Sequence, residues 1–251
     1  MKKILLVFLA VVFLMLSSSI SAYALNDNAV ESFLQPGNAE NVITGPGWFA
    51  ALRTVYNNYQ AHLTYNTSLE ASMSNSMINN QWTCPQFLIG NSTMGEVGCE
   101  IAAVYNALRL RGKSAWYRNV ADIICTFERD GYIMNNGTWG SDPYAIGDYF
   151  GAESISYLQY TDYTSMKNRV QSTMNSSDQV YIVSYWVNGN SIAGGLHTVA
   201  FVASHSAGKI YCYNEVESYQ APMDSFEDYQ CVSEDSFIVG YCIPNTGRSV
   251  D

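Results

Sequence analysis

Positive charge is what this chain has least of. Lysine and arginine together number 12 against 22 acidic residues, a formal net charge of -10 over 251 residues. A surface so poor in cations argues against nucleic acid and anionic membranes as partners, because both are gripped by clustered basic side chains. Histidine is scarcer still, with only His62, His197 and His205. There is no H-E-x-x-H, no calcium loop and no C-x-x-C, which excludes a zincin, an EF-hand, a zinc ribbon and a thioredoxin-type motif. Neither a metal nor an organic cofactor is expected. Past residue 24, no run approaches the roughly 18 apolar residues of a membrane helix.

The apolar run that does exist lies at the start. Lys2 and Lys3 precede Ile4 to Leu16, and a serine stretch leads to Ala22-Tyr23-Ala24. That order is a secretory signal over residues 1–24, with cleavage expected after Ala24 and a secreted, membrane-free mature protein. Cleavage removes two lysines and no acid, taking the net charge from -10 to -12. The remainder, 251 less 24 or about 227 residues, is long enough for one sizeable core with a small extension.

Residues 25–80 read as an N-terminal extension, which the sequence leaves open as a propeptide, a spacer or a helical piece packed on the domain. Phe49, Leu52, Val55, Tyr56 and Tyr59 recur at helical spacing, predicting a helix over 48–63 before a polar tract. Residues 81–251 read as one domain. Ile101, Val104, Tyr105 and Leu108 form a stripe that predicts a helix over 99–110, with Gly112 placed to end it. Further helices are predicted over 120–130, from Asp142 as N-cap with Pro143 at the first turn, and over 163–174. Strands are predicted over 180–187, 196–203, 209–214 and 237–243. Helices first and antiparallel strands last is a segregated α+β order.

Cys99 opens the first of these helices, where free backbone N–H groups and the dipole favour a thiolate. His197 alternates with Val199 and Phe201 on one face of its strand. A hairpin centred between His205 and Ser206 would pair position 197 directly with Asn214, placing both on one face. Cysteine, histidine and asparagine then form the kit of a thiol nucleophile: attack, proton transfer, and an oxygen that orients the imidazole. His62 and His205 read as ordinary surface residues. Cysteines also stand at 84, 125, 212, 231 and 242; with Cys99 reserved, these five allow one or two disulfides.

The segment Ile89-Gly-Asn-Ser-Thr-Met-Gly-Glu-Val-Gly-Cys99, running into an apolar helix, resembles the nucleophile segment of bacterial papain-like cysteine peptidases related to the bacteriocin-processing (double-glycine leader) peptidases. Gly-Thr-Trp-Gly-Ser-Asp-Pro at 137–143, Gly195-Leu-His197-Thr-Val-Ala and the hairpin to Asn214 resemble the same group. The resemblance covers about Gln81 to Ile243. It implies a papain-like fold, with a nucleophile helix packed on a C-terminal antiparallel sheet. It implies Cys99 as nucleophile, His197 as general base and acid, and Asn214 as the orienting residue. The sequence departs at Glu100, where the group has a small residue, and offers both Gln81 and Gln86 for the oxyanion glutamine. The expected function is a secreted cysteine peptidase acting on a peptide or protein substrate. The alternatives are an inactive papain-like module that binds peptide or cell-wall material, and a cell-wall amidase acting on cell-wall peptides.

Overall fold

The computed structural model describes residues 59–73, 77–112, 117–133, 141–187, 195–214, 222–229 and 231–244. The expected secretory signal, residues 48–58 of the helix expected over 48–63, and the Gly-Thr-Trp-Gly turn at 137–140 lie outside the described residues. No helix among the described residues is long and apolar enough to cross a membrane.

The chain is α+β, as its order of elements predicts. Residues 59–70 are helical (α1). A two-stranded ribbon, β1 (Leu88–Ile89) and β2 (Ser92–Thr93), leads into a one-turn helix, α2 (Met94–Val97). Then come α3 (Cys99–Arg111), α4 (Val120–Arg129), α5 (Ala145–Ala152), β3 (Leu158–Tyr160), α6 (Tyr163–Met174), β4 (Gln179–Trp186), β5 (Leu196–Ser204), β6 (Lys209–Tyr213) and β7 (Phe237–Ile243). Five strands make one sheet in the order β3-β7-β4-β5-β6, with every neighbouring pair antiparallel.

Both faces of this sheet are covered. Every residue of β4 is buried, because it lies between β5 and β7 and has a layer on either side. On one face, Val180, Ile182, Trp186, Ala200 and Val202 pack with Ile101, Val104 and Leu108 of α3 and Ile123 and Phe127 of α4. On the other, Tyr181, Val183, Tyr185, Val199 and Phe201 pack with Met166 and Val170 of α6 and with Phe226. Strand period assigns odd and even residues to opposite faces, so β5 contributes Leu196, Ala200 and Val202 to the α3 side, and Val199, Phe201 and Ala203 to the α6 side.

The helix predicted at Cys99 ends where expected, with Gly112 at φ 67, a left-handed cap that glycine adopts at no steric cost. Asp142 is not the N-cap but lies two residues before it, the N-cap being Tyr144. Asp142 Oδ1 accepts from Tyr144 N at 2.8 Å, and α5 begins at Ala145. Residues 59–73 and 77–80 are tied into the domain. His62 Nδ1 lies 2.6 Å from Glu128 Oε1, and Glu70 Oε1 accepts from Ala121 N at the start of α4. Asn66 and Asn106 each clamp both backbone groups of another residue, Leu88 and Ile78 respectively. The boundary drawn at residue 80 is therefore crossed by packing and hydrogen bonds. The one or two disulfides that the spacing allows are not seen among the described residues, and Cys84, Cys99, Cys125 and Cys242 are free thiols.

Candidate active site

The turn into α3 is built around Gly95 and Gly98. Gly98 N donates to Met94 O at 3.0 Å, closing α2, and Gly98 O accepts from Ala102 N at 2.9 Å, opening α3. A methyl group at Gly98 would stand 2.4 Å from Met94 O, a backbone atom that cannot rotate away. Gly95 is held at both ends: its N–H donates to Gln86 Oε1 at 2.8 Å, and its carbonyl accepts from Gln81 Nε2 at 2.8 Å. The two glutamines open to an oxyanion role are thus both structural clamps on the turn ahead of Cys99.

Cys99 is 6% exposed. Its thiol donates to Glu100 Oε2 at 3.1 Å and lies 4.0 Å from Leu196 O. The N–H and hydroxyl of Thr198 also hydrogen-bond to the sulfur. Burial pushes the thiol well above its ordinary range, and the Glu100 carboxylate adds to the rise. The helix N-terminus was expected to favour the thiolate, but desolvation outweighs it. Glu100 is completely buried, and burial pushes its carboxyl up to about 8. The thiol, its own N–H and that of Ser141 oppose this rise, and Asp142 adds to it. Asp142, nearly as buried, is pushed up to about 7, also by burial. Glu100 Oε1, Asp142 Oδ2 and Ser141 Oγ have no hydrogen-bond partner.

His197 lies on the other face of the sheet. Thr198 reaches the thiol on the α3 side, so the preceding residue points toward the α6 side. The imidazole there meets Tyr185 edge to face at 5.8 Å, and Tyr185 in turn shares a 2.9 Å hydroxyl contact with Tyr229. Burial lowers the His197 pKa to about 4, so the ring is neutral. Its Nε2–H donates to the backbone carbonyl of Asn214 at 2.7 Å. Neither Cys99 nor His197 hydrogen-bonds to the other.

The hairpin joins His197 to Asn214, but not as the spacing predicts. A centre between His205 and Ser206 would pair Lys209 with Val202; Lys209 pairs with Ser204. The turn is tighter, closing over 205–208 with Gly208 at φ 61. A two-residue shift keeps each side chain on its expected face but removes the direct 197–214 pairing. Asn214 leaves the strand with φ 66, in the left-handed region that asparagine tolerates. Its side chain turns to Gln81: Oδ1 accepts from Gln81 N at 2.9 Å, and Nδ2 donates to Gln81 Oε1 at 3.0 Å. The residue proposed to orient the imidazole does so through its carbonyl, while its amide anchors the loop before Cys99. His197, Asn214, Gln81 and Gly95 form one hydrogen-bonded chain ending four residues short of the thiol.

His205 is exposed in the turn, as expected, whereas His62 is half-buried. His62 pairs with buried Glu128, and His205 bonds Met174 O through Nδ1 at 2.7 Å. Among the described residues, no group of three or more histidine, cysteine or acidic side chains is placed to hold a metal. The sequence marks Glu100 only as a departure from the group it resembles, Asp142 only as a helix cap, and Thr198 not at all. The adjacency of Glu100 to Cys99 was a signal for the first; nothing local marked the others as part of the site. No family model, no curated protein and no solved structure matches the chain.

Proposed function

We propose that the chain is an exported papain-like cysteine peptidase with Cys99 as its nucleophile. The observation that carries the reading is the position of Cys99. It opens a thirteen-residue helix packed on an antiparallel sheet, and the hydrogen-bonded chain from His197 through Asn214 and Gln81 ends on the turn that leads into it. Attack of its sulfur on an amide carbonyl forms a tetrahedral intermediate, then a thioester as the amine departs, and water releases the acid. The N–H of Cys99, at the first helical position, has no helical acceptor and is free to donate to the developing oxyanion. The secretory signal supports an extracellular peptide or protein substrate, with cell-wall peptides included.

A second reading is favoured by the opposed faces of β5. A protonated thiol and a His197 that faces Tyr185 support a papain-like module that binds peptide without cleaving it. Incubating mature protein and Cys99→Ala with casein and, separately, with purified peptidoglycan separates the readings. Peptide-bond cleavage that disappears in Cys99→Ala supports the peptidase. Equal binding by both proteins with no new termini overturns it and leaves the binding module.

A further inference from the structure

We propose that the carboxylate of Glu100, not the imidazole of His197, takes the proton from the Cys99 thiol. This rests on Cys99 being the nucleophile, and it names the partner that the opposed faces of β5 deny to it. The geometry is direct: Sγ and Oε2 are 3.1 Å apart, within proton-transfer reach, whereas no hydrogen bond joins Sγ to His197. The second oxygen, Oε1, is buried and without a partner. Among the described residues no ion pair neutralises Glu100, so the carboxyl retains a base's appetite for a proton instead of being locked as a counter-ion.

Few charges face it. Cys99 lies beside it on α3, Asp142 approaches from the turn into α5 with Asp148 beyond, and Ser141 offers an N–H. β5 presents Thr198, which is uncharged, with His197 on its far side. Burial raises both thiol and carboxyl, leaving the proton on sulfur at rest but bringing the acceptor to about 8, well above an ordinary carboxylate. A base this close to working pH accepts a proton far more readily than one near 4. In the step itself, the S–H bond breaks, an O–H bond forms on Oε2, and the electron pair stays on sulfur to attack the carbonyl carbon. The departing amine then takes the proton from Oε2, restoring the carboxylate. Water attacking the thioester gives its proton to the same oxygen, which returns it to the expelled sulfur.

A carboxylate beside a thiol also repels the thiolate, and an effect of that kind carries the opposite sign in the test. Iodoacetamide alkylation of Cys99, followed by peptide-resolved mass spectrometry between pH 6 and 10, is compared in the wild type, Glu100→Gln and Glu96→Gln. Glu96 is fully exposed and bonded to Ser92, and serves as a charge control. The wild-type rate rises through a step near pH 8, Glu100→Gln loses the step and reacts at least about tenfold slower at pH 8.5, and Glu96→Gln follows the wild type. A Glu100→Gln protein that reacts as fast as or faster than wild type overturns the proposal. Labelling of buried Cys242 in the same samples reports unfolding; if Glu100→Gln unfolds, a wild-type profile with no step near pH 8 overturns the proposal by itself. Alkylation needs no substrate, so a step without hydrolysis sinks the peptidase reading alone, and hydrolysis without a step sinks only the role of Glu100.

Discussion

Four buried amide side chains, in three clamps, do for this fold what short strands do elsewhere. Asn106 accepts from Ile78 N and donates to Ile78 O, both at 2.8 Å. Asn66 holds Leu88 the same way, and Asn214 and Gln81 hold each other. Each clamp satisfies two polar groups that burial would otherwise orphan. Replacing Asn106 with leucine keeps the branched shape and removes both bonds, leaving the N–H and carbonyl of buried Ile78 without partners. At about 1–3 kcal/mol per abandoned group, partly relieved by relaxation, Asn106→Leu lowers unfolding free energy by about 3 kcal/mol. The shift of the urea midpoint measures it; a loss under about 1 kcal/mol would show the clamp to be incidental.

At the scale of elements, the junction between α2 and α3 sets where the thiol lies. Gly98 is required there for space, since its φ of -94 is open to any residue. An alanine methyl would meet Met94 O and Sδ, each at 2.4 Å, so the two helices must separate. Overpacking of this kind costs about 1–3 kcal/mol. Gly98→Ala is therefore destabilised by about 2 kcal/mol and shifts the start of α3, read as a lower thermal midpoint together with altered alkylation of Cys99. Gly240 offers a contrast. Its added methyl would meet only the side chain of Met166, nearest at 2.8 Å, which flexes more readily than a carbonyl.

At the scale of the whole molecule, buried carboxyls decide how stability follows pH. Glu100 and Asp142 have folded pKa values near 8 and 7, raised from about 4.5 and 3.8. A raised carboxyl binds its proton more tightly when folded, so its contribution is present at low pH and is lost as pH rises toward the folded value. His62, raised by its bond to Glu128, also loses its contribution as pH rises above about 6.5. His197 runs the other way: lowered to about 4, it removes stability as pH falls from about 6.5. Between about pH 4.5 and 6.5 the two carboxyls outweigh His197, so stability is already falling there, and from pH 6 to 8.5 it declines by on the order of 3 kcal/mol. Urea titrations across this range check the slope, and Glu100→Gln flattens it. A flat or rising curve above pH 6 would mean that these carboxyls ionise freely in the fold.

Periodicity made most elements legible. The apolar stripe from Ile101 to Leu108 and the left-handed cap at Gly112 mark α3, and the β-branched and aromatic alternation of β4, β5 and β7 marks the sheet. Local spacing also brought Cys99, His197 and Asn214 into one neighbourhood. It left the hairpin register two residues short, because the tightness of the turn at 205–208 depends on Gly208 adopting φ 61. It left the glutamines unassigned, because a long amide finds its partner only when distant backbone is brought to it.

The amino-acid sequence alone determined that the residues of β5 alternate, that Cys99 heads a helix, and that Glu100 follows it. Only the tertiary structure decided which side of β5 that helix covers. Strand period separates Thr198 from His197 but is indifferent to which of them faces α3; the packing of Ile101, Val104 and Leu108 against Ala200 and Val202 makes that choice. Burial on that side also set the charge at the site, since a thiol and a carboxyl taken from water together both hold their protons more tightly.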